Sequence, residues 1–183
     1  MGVFTKPDAV IDLNLPFLDE AGEKVTLRDR VPSDKPFILV PIFFECPRLC
    51  SLTLSGVVQL VNQLSLTLGE DYSVLAYTFN PAEGPREAAE KRAATLKRLK
   101  SSPRDPRAWR FLSGNADSIA TLNGQLDFRV RMADKEFEHS SAIFIVDPSG
   151  LVRRYFAGIE FEPKKVQVAL VNEDDKFHPE EPS

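Results

Sequence analysis

One stretch limits the fold more than any other. Phe37-Ile38-Leu39-Val40-Pro41-Ile42-Phe43-Phe44 is a nearly continuous apolar run, and it gives way at once to Glu45-Cys46-Pro47-Arg48-Leu49-Cys50. A short run without polar alternation suits a strand buried on both faces of a parallel sheet. Pro41 breaks the pattern, because proline has no N–H to give to a sheet ladder. The run therefore predicts either an irregularity just ahead of the cysteines or a strand that pairs fully on only one side there. Beyond Cys50, Leu54, Val57, Val58, Val61, Leu64 and Leu68 recur at helical spacing up to Gly69, a candidate C-cap. Both cysteines of the chain thus sit at a strand-to-helix junction.

A C-x-x-x-C pair at such a junction has three uses: a redox pair, half of a metal site, or inert structural thiols. Pro47 suits a first helical position, where its missing N–H costs nothing. Cys46 then lies near the N-cap and shares one helical face with Cys50. The positive end of the helix and Arg48 favour thiolate over thiol, which weighs against inert thiols. Two cysteines in 183 residues with 43% hydrophobic content do not make a disulfide scaffold; a chain of this size builds one core. A net charge of -4 and the lack of a Lys/Arg-rich run exclude a nucleic-acid binder. No apolar run approaches the ~20 residues of a membrane helix, and Met1 to Asp8 carries no charged-then-apolar signal. Any membrane association would run through an anchor absent from this chain.

Val10 to Leu18 and Lys24 to Leu27, parted by Asp19-Glu20-Ala21-Gly22, predict a hairpin that covers a sheet edge. Ser73 to Phe79 is a second strand, closed by the turn Asn80-Pro81-Ala82-Glu83-Gly84-Pro85. Arg86 to Lys100 predicts a surface helix with Ala89, Ala93, Leu96 and Leu99 on its inner side. Trp109 to Leu112 reads as a short strand with Trp109 in the core, and Asp117 to Asn123 as a helix capped by Gly124. Leu126 to Glu138 has no period and ends at His139. Ser141 to Val146 and Leu151 to Phe156 flank Asp147-Pro148-Ser149-Gly150, a hairpin turn, and Pro163 to Val171 closes as a helix. Neither a phosphate-binding loop nor an internal repeat is present. The chain divides into an N-terminal arm (1–9), a folded domain (10–171) and a loose acidic tail (172–183) in which His178 has no assigned role. The element order predicts an α/β fold, a three-layer α/β/α sandwich around a mixed central sheet with an N-terminal β-hairpin extension. That is the thioredoxin-like plan, and its ligand sites lie beyond strand carboxyl ends.

With this order in hand, four pieces carry a resemblance: Cys46-Pro47-Arg48-Leu49-Cys50, Trp109-Arg110-Phe111-Leu112-Ser113-Gly114, Phe137-Glu138-His139-Ser140-Ser141 and Ile145-Val146-Asp147-Pro148-Ser149-Gly150-Leu151-Val152. From about Asp12 to Val171 the chain resembles the Sco/SenC family of copper-binding, thioredoxin-like cytochrome c oxidase assembly proteins. The resemblance implies that Cys46, Cys50 and His139 bind one copper ion, as Cu(I) or Cu(II), and thiolate and imidazole donors suit that metal. It implies a copper metallochaperone that delivers to the copper-site subunit of cytochrome c oxidase or another apo-cuproprotein, and that meets a copper donor or a thiol-redox protein. It further implies an extracytoplasmic domain, on the periplasmic side of the inner membrane or its equivalent, tethered to that membrane. The alternative is a thiol-disulfide oxidoreductase, in which Cys46 and Cys50 are the catalytic redox pair and reduce a cuproprotein's cysteines before metallation. One departure stands out. Where the family carries an acidic residue ahead of the proline that follows the second strand, this chain has Asn80, a change that bears on partner docking or copper transfer more than on metal binding. Among the other charges, Arg48 reads as functional, lowering thiol pKa or meeting an acidic partner, and Asp134, Lys135 and Glu136 read as a solvated loop.

Overall fold

The computed structural model describes residues 8–45, 49–133, 136–139 and 141–171. Near its start the chain forms the expected hairpin, shorter than predicted: β1 (Pro16–Leu18) pairs antiparallel with β2 (Lys24–Thr26), and Val10 makes an isolated bridge to Leu151 instead of joining β1. Leu27, expected to end the second strand, opens α1 (Leu27–Arg30). The cause is a capping box: the Thr26 hydroxyl accepts from the Asp29 N–H, and the Asp29 carboxylate accepts from the Thr26 N–H.

The apolar run becomes β3 (Phe37–Ile42), buried at every position. After the cysteine motif comes α2 (Leu49–Gln63), which turns Leu54, Val57 and Val58 into the core as its spacing predicts and buries Leu60 beside them, while Val61 is only partly buried. The helix stops short of Gly69. Asp71 Oδ2 accepts from the Thr67 N–H, and Gly69, at φ +92°, donates to Tyr72 O, so side-chain bonds and a left-handed turn take over the backbone there. Next are β4 (Ser73–Thr78) and α3 (Pro85–Leu96), with Pro85 at the helix start. The buried face of α3 carries Ala88 and Thr95 and leaves Ala93 exposed, a rotation from the predicted face. Arg92, one turn on from Ala88, lies on that face and donates its Nε–H to Trp109 O at 2.9 Å.

β5 (Trp109–Leu112) follows, with Trp109 fully buried. α4 (Ala116–Gln125), capped by Asn115, runs through Gly124 instead of ending at it. Its stop lies at Asp127, in the left-handed region at φ 51°, with Phe128 N–H donating to Asn123 O. The stretch without a period holds β6 (Val130–Ala133) and β7 (Glu136–His139), an antiparallel pair in register from Val130 with His139 to Ala133 with Glu136. β8 (Ala142–Val146) and β9 (Val152–Ala157) form the predicted hairpin, and α5 (Pro163–Val171) closes the described chain.

The central sheet is five-stranded and mixed, in the order β5-β4-β3-β8-β9. β3 runs parallel to β4 along its whole length and antiparallel to β8 through Phe37, Ile38 and Leu39. Pairing with β8 ends ahead of Pro41, so the proline falls where β3 is laddered on one side, the second of the two predicted solutions. Right-handed crossovers put α2 and α3 on one face, and α5 joins them where Ser65 N–H meets Gln167 Oε1. α4 covers the other face, where the Tyr77 hydroxyl donates to Asn123 Oδ1 at 2.6 Å. The result is the expected thioredoxin-like α/β/α sandwich with an added hairpin. No helix among the described residues is long and apolar enough to cross a membrane.

Candidate metal centre

The end of the sheet where β3 and β4 stop is the place to look, because ligands in such folds bind past strand carboxyl ends. Three chain segments converge on it. β3 leaves the sheet there through Phe43, Phe44 and Glu45. α2 starts there, with Cys50 in its first turn, where backbone N–H groups lack helical partners and the helix dipole favours an anion. The third segment follows from register: β8 runs antiparallel to β3, with Phe37 opposite Val146 and Leu39 opposite Phe144, so β8 begins at the end where β3 finishes. His139, the last residue of β7, shortly precedes β8 and so reaches the sheet at that same end.

Cys46, Pro47 and Arg48 lie outside the described residues, as do Asp134, Lys135 and His178. Cys50 and His139 are described by their backbone. Among the described residues no group of three or more His, Cys, Asp or Glu side chains is placed to hold a metal.

The best-defined polar feature of this end is a residue the turn reading passed over. Glu83 is 5% exposed, and its carboxylate faces the chain leaving β3. Oε1 accepts from the Phe44 N–H at 2.9 Å and from the Thr78 hydroxyl at 2.5 Å, while Oε2 accepts from the Glu45 N–H at 2.8 Å. Burial pushes the carboxyl above its ordinary range; the Thr78 hydroxyl and the two N–H groups pull the other way, and the Glu45 charge adds to the push. Asn80 builds the turn. Its Oδ1 accepts from the Ala82 N–H, its own N–H donates to Thr78 Oγ1, and its carbonyl accepts from the Glu83 N–H. The turn thus aims Glu83 inward. Below it, the Phe44 ring is buried against Phe111, with centroids 5.7 Å apart, and Phe43 lies 6.3 Å from Phe79.

Comparison with known proteins agrees with this architecture. The sequence profile of the SCO1/SenC family matches residues 6–173. A protein of Aquifex aeolicus VF5 superposes with a TM-score of 0.78 at 20% identity, covering 90% of this chain and 92% of that one. BsSco, described as a member of the Sco family of cytochrome c oxidase assembly proteins with a disulfide switch, gives 0.66 at 19% identity, covering 93% and 99%. ScoI of Arabidopsis thaliana with copper bound gives 0.65 at 15% identity, covering 86% and 96%. No curated protein sequence matches the chain.

Proposed function

The chain belongs to the SCO1/SenC family, and from that premise we propose that it is a copper metallochaperone that takes one copper ion on Cys46, Cys50 and His139 and delivers it during assembly of the copper site of cytochrome c oxidase. The observation that carries the reading is the sheet register: the helix start bearing Cys50 and the strand pair ending in His139 belong to one end of the sheet, although 89 positions separate them in sequence (139 − 50). Two thiolates and an imidazole are a donor set suited to copper, soft enough for Cu(I) and able to hold Cu(II) with a further weak ligand. Copper is cargo here, so the donors must hold it firmly and still release it by stepwise exchange to the partner's ligands. The copper-bound ScoI structure and the assembly role ascribed to BsSco support the same reading. With it goes an extracytoplasmic site of action, at a membrane-tethered position beside the oxidase.

Titration of the reduced protein with copper tests the proposal. One equivalent binds, with a thiolate-to-Cu(II) charge-transfer band that disappears in Cys46→Ser and in Cys50→Ser; a band unchanged in either variant would overturn the ligand assignment. His139→Ala weakens copper binding and leaves the dithiol oxidisable. Because all three donors must shed protons, affinity falls as pH is lowered. Zinc is the necessary competitor, since two thiolates and one imidazole also suit it.

A second reading has its own support. Cys50 lies in the first turn of a helix, a setting that favours the thiolate, and BsSco is described with a disulfide switch. An oxidised Cys46–Cys50 pair has no thiolate to offer a metal, so the redox state of the pair controls loading. If His139→Ala left copper affinity untouched and shifted only the reduction potential, the oxidoreductase reading would displace the chaperone one.

A further inference from the structure

The carboxylate of Glu83 is an unusual choice for what it does. Chain leaving a strand commonly gives its N–H groups to water or to a carbonyl, whereas a buried carboxylate costs desolvation and persists where its hydrogen bonds offset that cost. Here the offset is a two-oxygen grip on consecutive N–H groups, those of Phe44 and Glu45, directly ahead of Cys46. The grip is braced from both sides. Thr78, the last residue of β4, donates its hydroxyl to the same carboxylate, and the Phe44 ring is buried against Phe111. The Glu83 N–H is itself tied to Asn80 O at 3.1 Å. Cys50, by contrast, lies within α2 itself.

We propose that Glu83 is a positioning residue for copper binding: by fixing the Phe44 and Glu45 backbone it sets how Cys46 is presented, while Cys50 is carried by α2. The inference rests on the copper reading for its function but not for its geometry. It makes the two cysteines unequal. Cys46 depends on a charge-assisted clamp, and Cys50 depends on a helix. Glu83→Gln keeps the size of the side chain but turns one acceptor oxygen into an NH2 group facing an N–H, so one of the two backbone bonds must break. It also removes a negative charge close to the Cys46 segment. A freed segment and a lost negative charge both make the Cys46 thiol more reactive.

Timed alkylation of the reduced, metal-free protein reads this directly. Arg48 lies between the cysteines, so trypsin places Cys46 and Cys50 on separate peptides and mass spectrometry follows each rate. In Glu83→Gln the Cys46 rate rises about tenfold, the scale of one charge-assisted hydrogen bond, and the Cys50 rate stays within about twofold of wild type. Copper affinity in the same variant falls about tenfold. Thr78→Val, which removes the hydroxyl brace and leaves both N–H bonds, moves Cys46 the same way by a smaller factor, and it carries the test if Glu83→Gln does not fold. Equal change at both cysteines, or none at Cys46 in a folded variant, overturns the proposal. Wild-type protein that takes no copper would sink the chaperone reading and leave the alkylation result to stand or fall by itself.

Discussion

Asp19 shows how a single side chain couples this fold to pH. It is 2% exposed, and burial by itself would raise its carboxyl. The Arg30 guanidinium, 2.8 Å away, together with the N–H groups of Glu23 and Ala21, outweighs that and holds the carboxyl below its ordinary value. A carboxyl lowered in the folded state stabilises the fold above its unfolded pKa, near 4, and that stability is lost as pH falls through the folded value. Asp19→Asn therefore costs about 2–4 kcal/mol at pH 7 and much less at acid pH. Urea melts at pH 7 and about pH 3 check this, and equal losses at the two would remove the ion pair from the account. At this scale the cysteines and the pairing of β8 with β9 were legible in the sequence, because both are local patterns. Glu83 was not. Its partners Phe44 and Glu45 lie 39 and 38 positions away, and only the β3–β4 register turns a polar turn residue into a buried clamp.

Elements tell a parallel story about helices and where they may lie. Gly56, inside α2, looks like a weak point, since alanine there would raise helix propensity by about 1 kcal/mol. Packing reverses the sign. A Cβ at Gly56 would stand 1.9 Å from the Ile159 carbonyl oxygen and 3.2 Å from the Phe161 ring, and a backbone oxygen cannot swing aside as a side chain can. Gly56→Ala thus destabilises by about 1–3 kcal/mol net, read as a fall in the midpoint of thermal or urea unfolding; a rise would show that the Ile159 segment yields. The apolar face of α2 followed from spacing, and the one-sided pairing of β3 is one of the two outcomes that Pro41 predicts. The end of α2 did not follow, because Thr67, Gly69 and Asp71 make a turn that apolar spacing does not register. The β6–β7 pair escaped notice for a related reason. Each strand is only four residues long, so the alternation of Arg131 with Val130 and Met132, and of Phe137 with Glu136 and Glu138, is too brief to stand out from the surrounding loop.

Across the whole molecule, the segment ahead of β3 works as a strap. It starts beside one edge strand, where Ile11 N–H donates to Gly150 O and Val152 N–H to Ala9 O, and it finishes on the other, where Leu18 and Ser113 exchange backbone bonds of 2.7 and 3.0 Å. Between these points Phe17 packs edge-on against Tyr77 and fills the space left by Gly114, whose Cβ would lie 2.8 Å from the ring. The strap thereby covers one end of each edge strand of the five-stranded sheet, positions that would otherwise invite pairing with another chain. Its tightest fastening is Glu20. One carboxylate oxygen accepts from the Phe111 N–H at 2.8 Å and from Arg110 Nε at 3.0 Å, the other from Arg110 Nη2, and Arg92 Nε stands 3.6 Å away. Glu20→Ala leaves the Phe111 N–H and two guanidinium groups without that partner, and costs about 2–4 kcal/mol. The loss is local before it is global. Amide exchange at Leu18, Phe111 and Ser113 should accelerate by one to two decades more than at Leu39 in the centre of β3, because the hairpin can lift from β5 while the core stays folded. Uniform acceleration at all four amides would instead make strap and sheet one cooperative unit, and Glu20 a contributor to global stability with no separate role as a fastening.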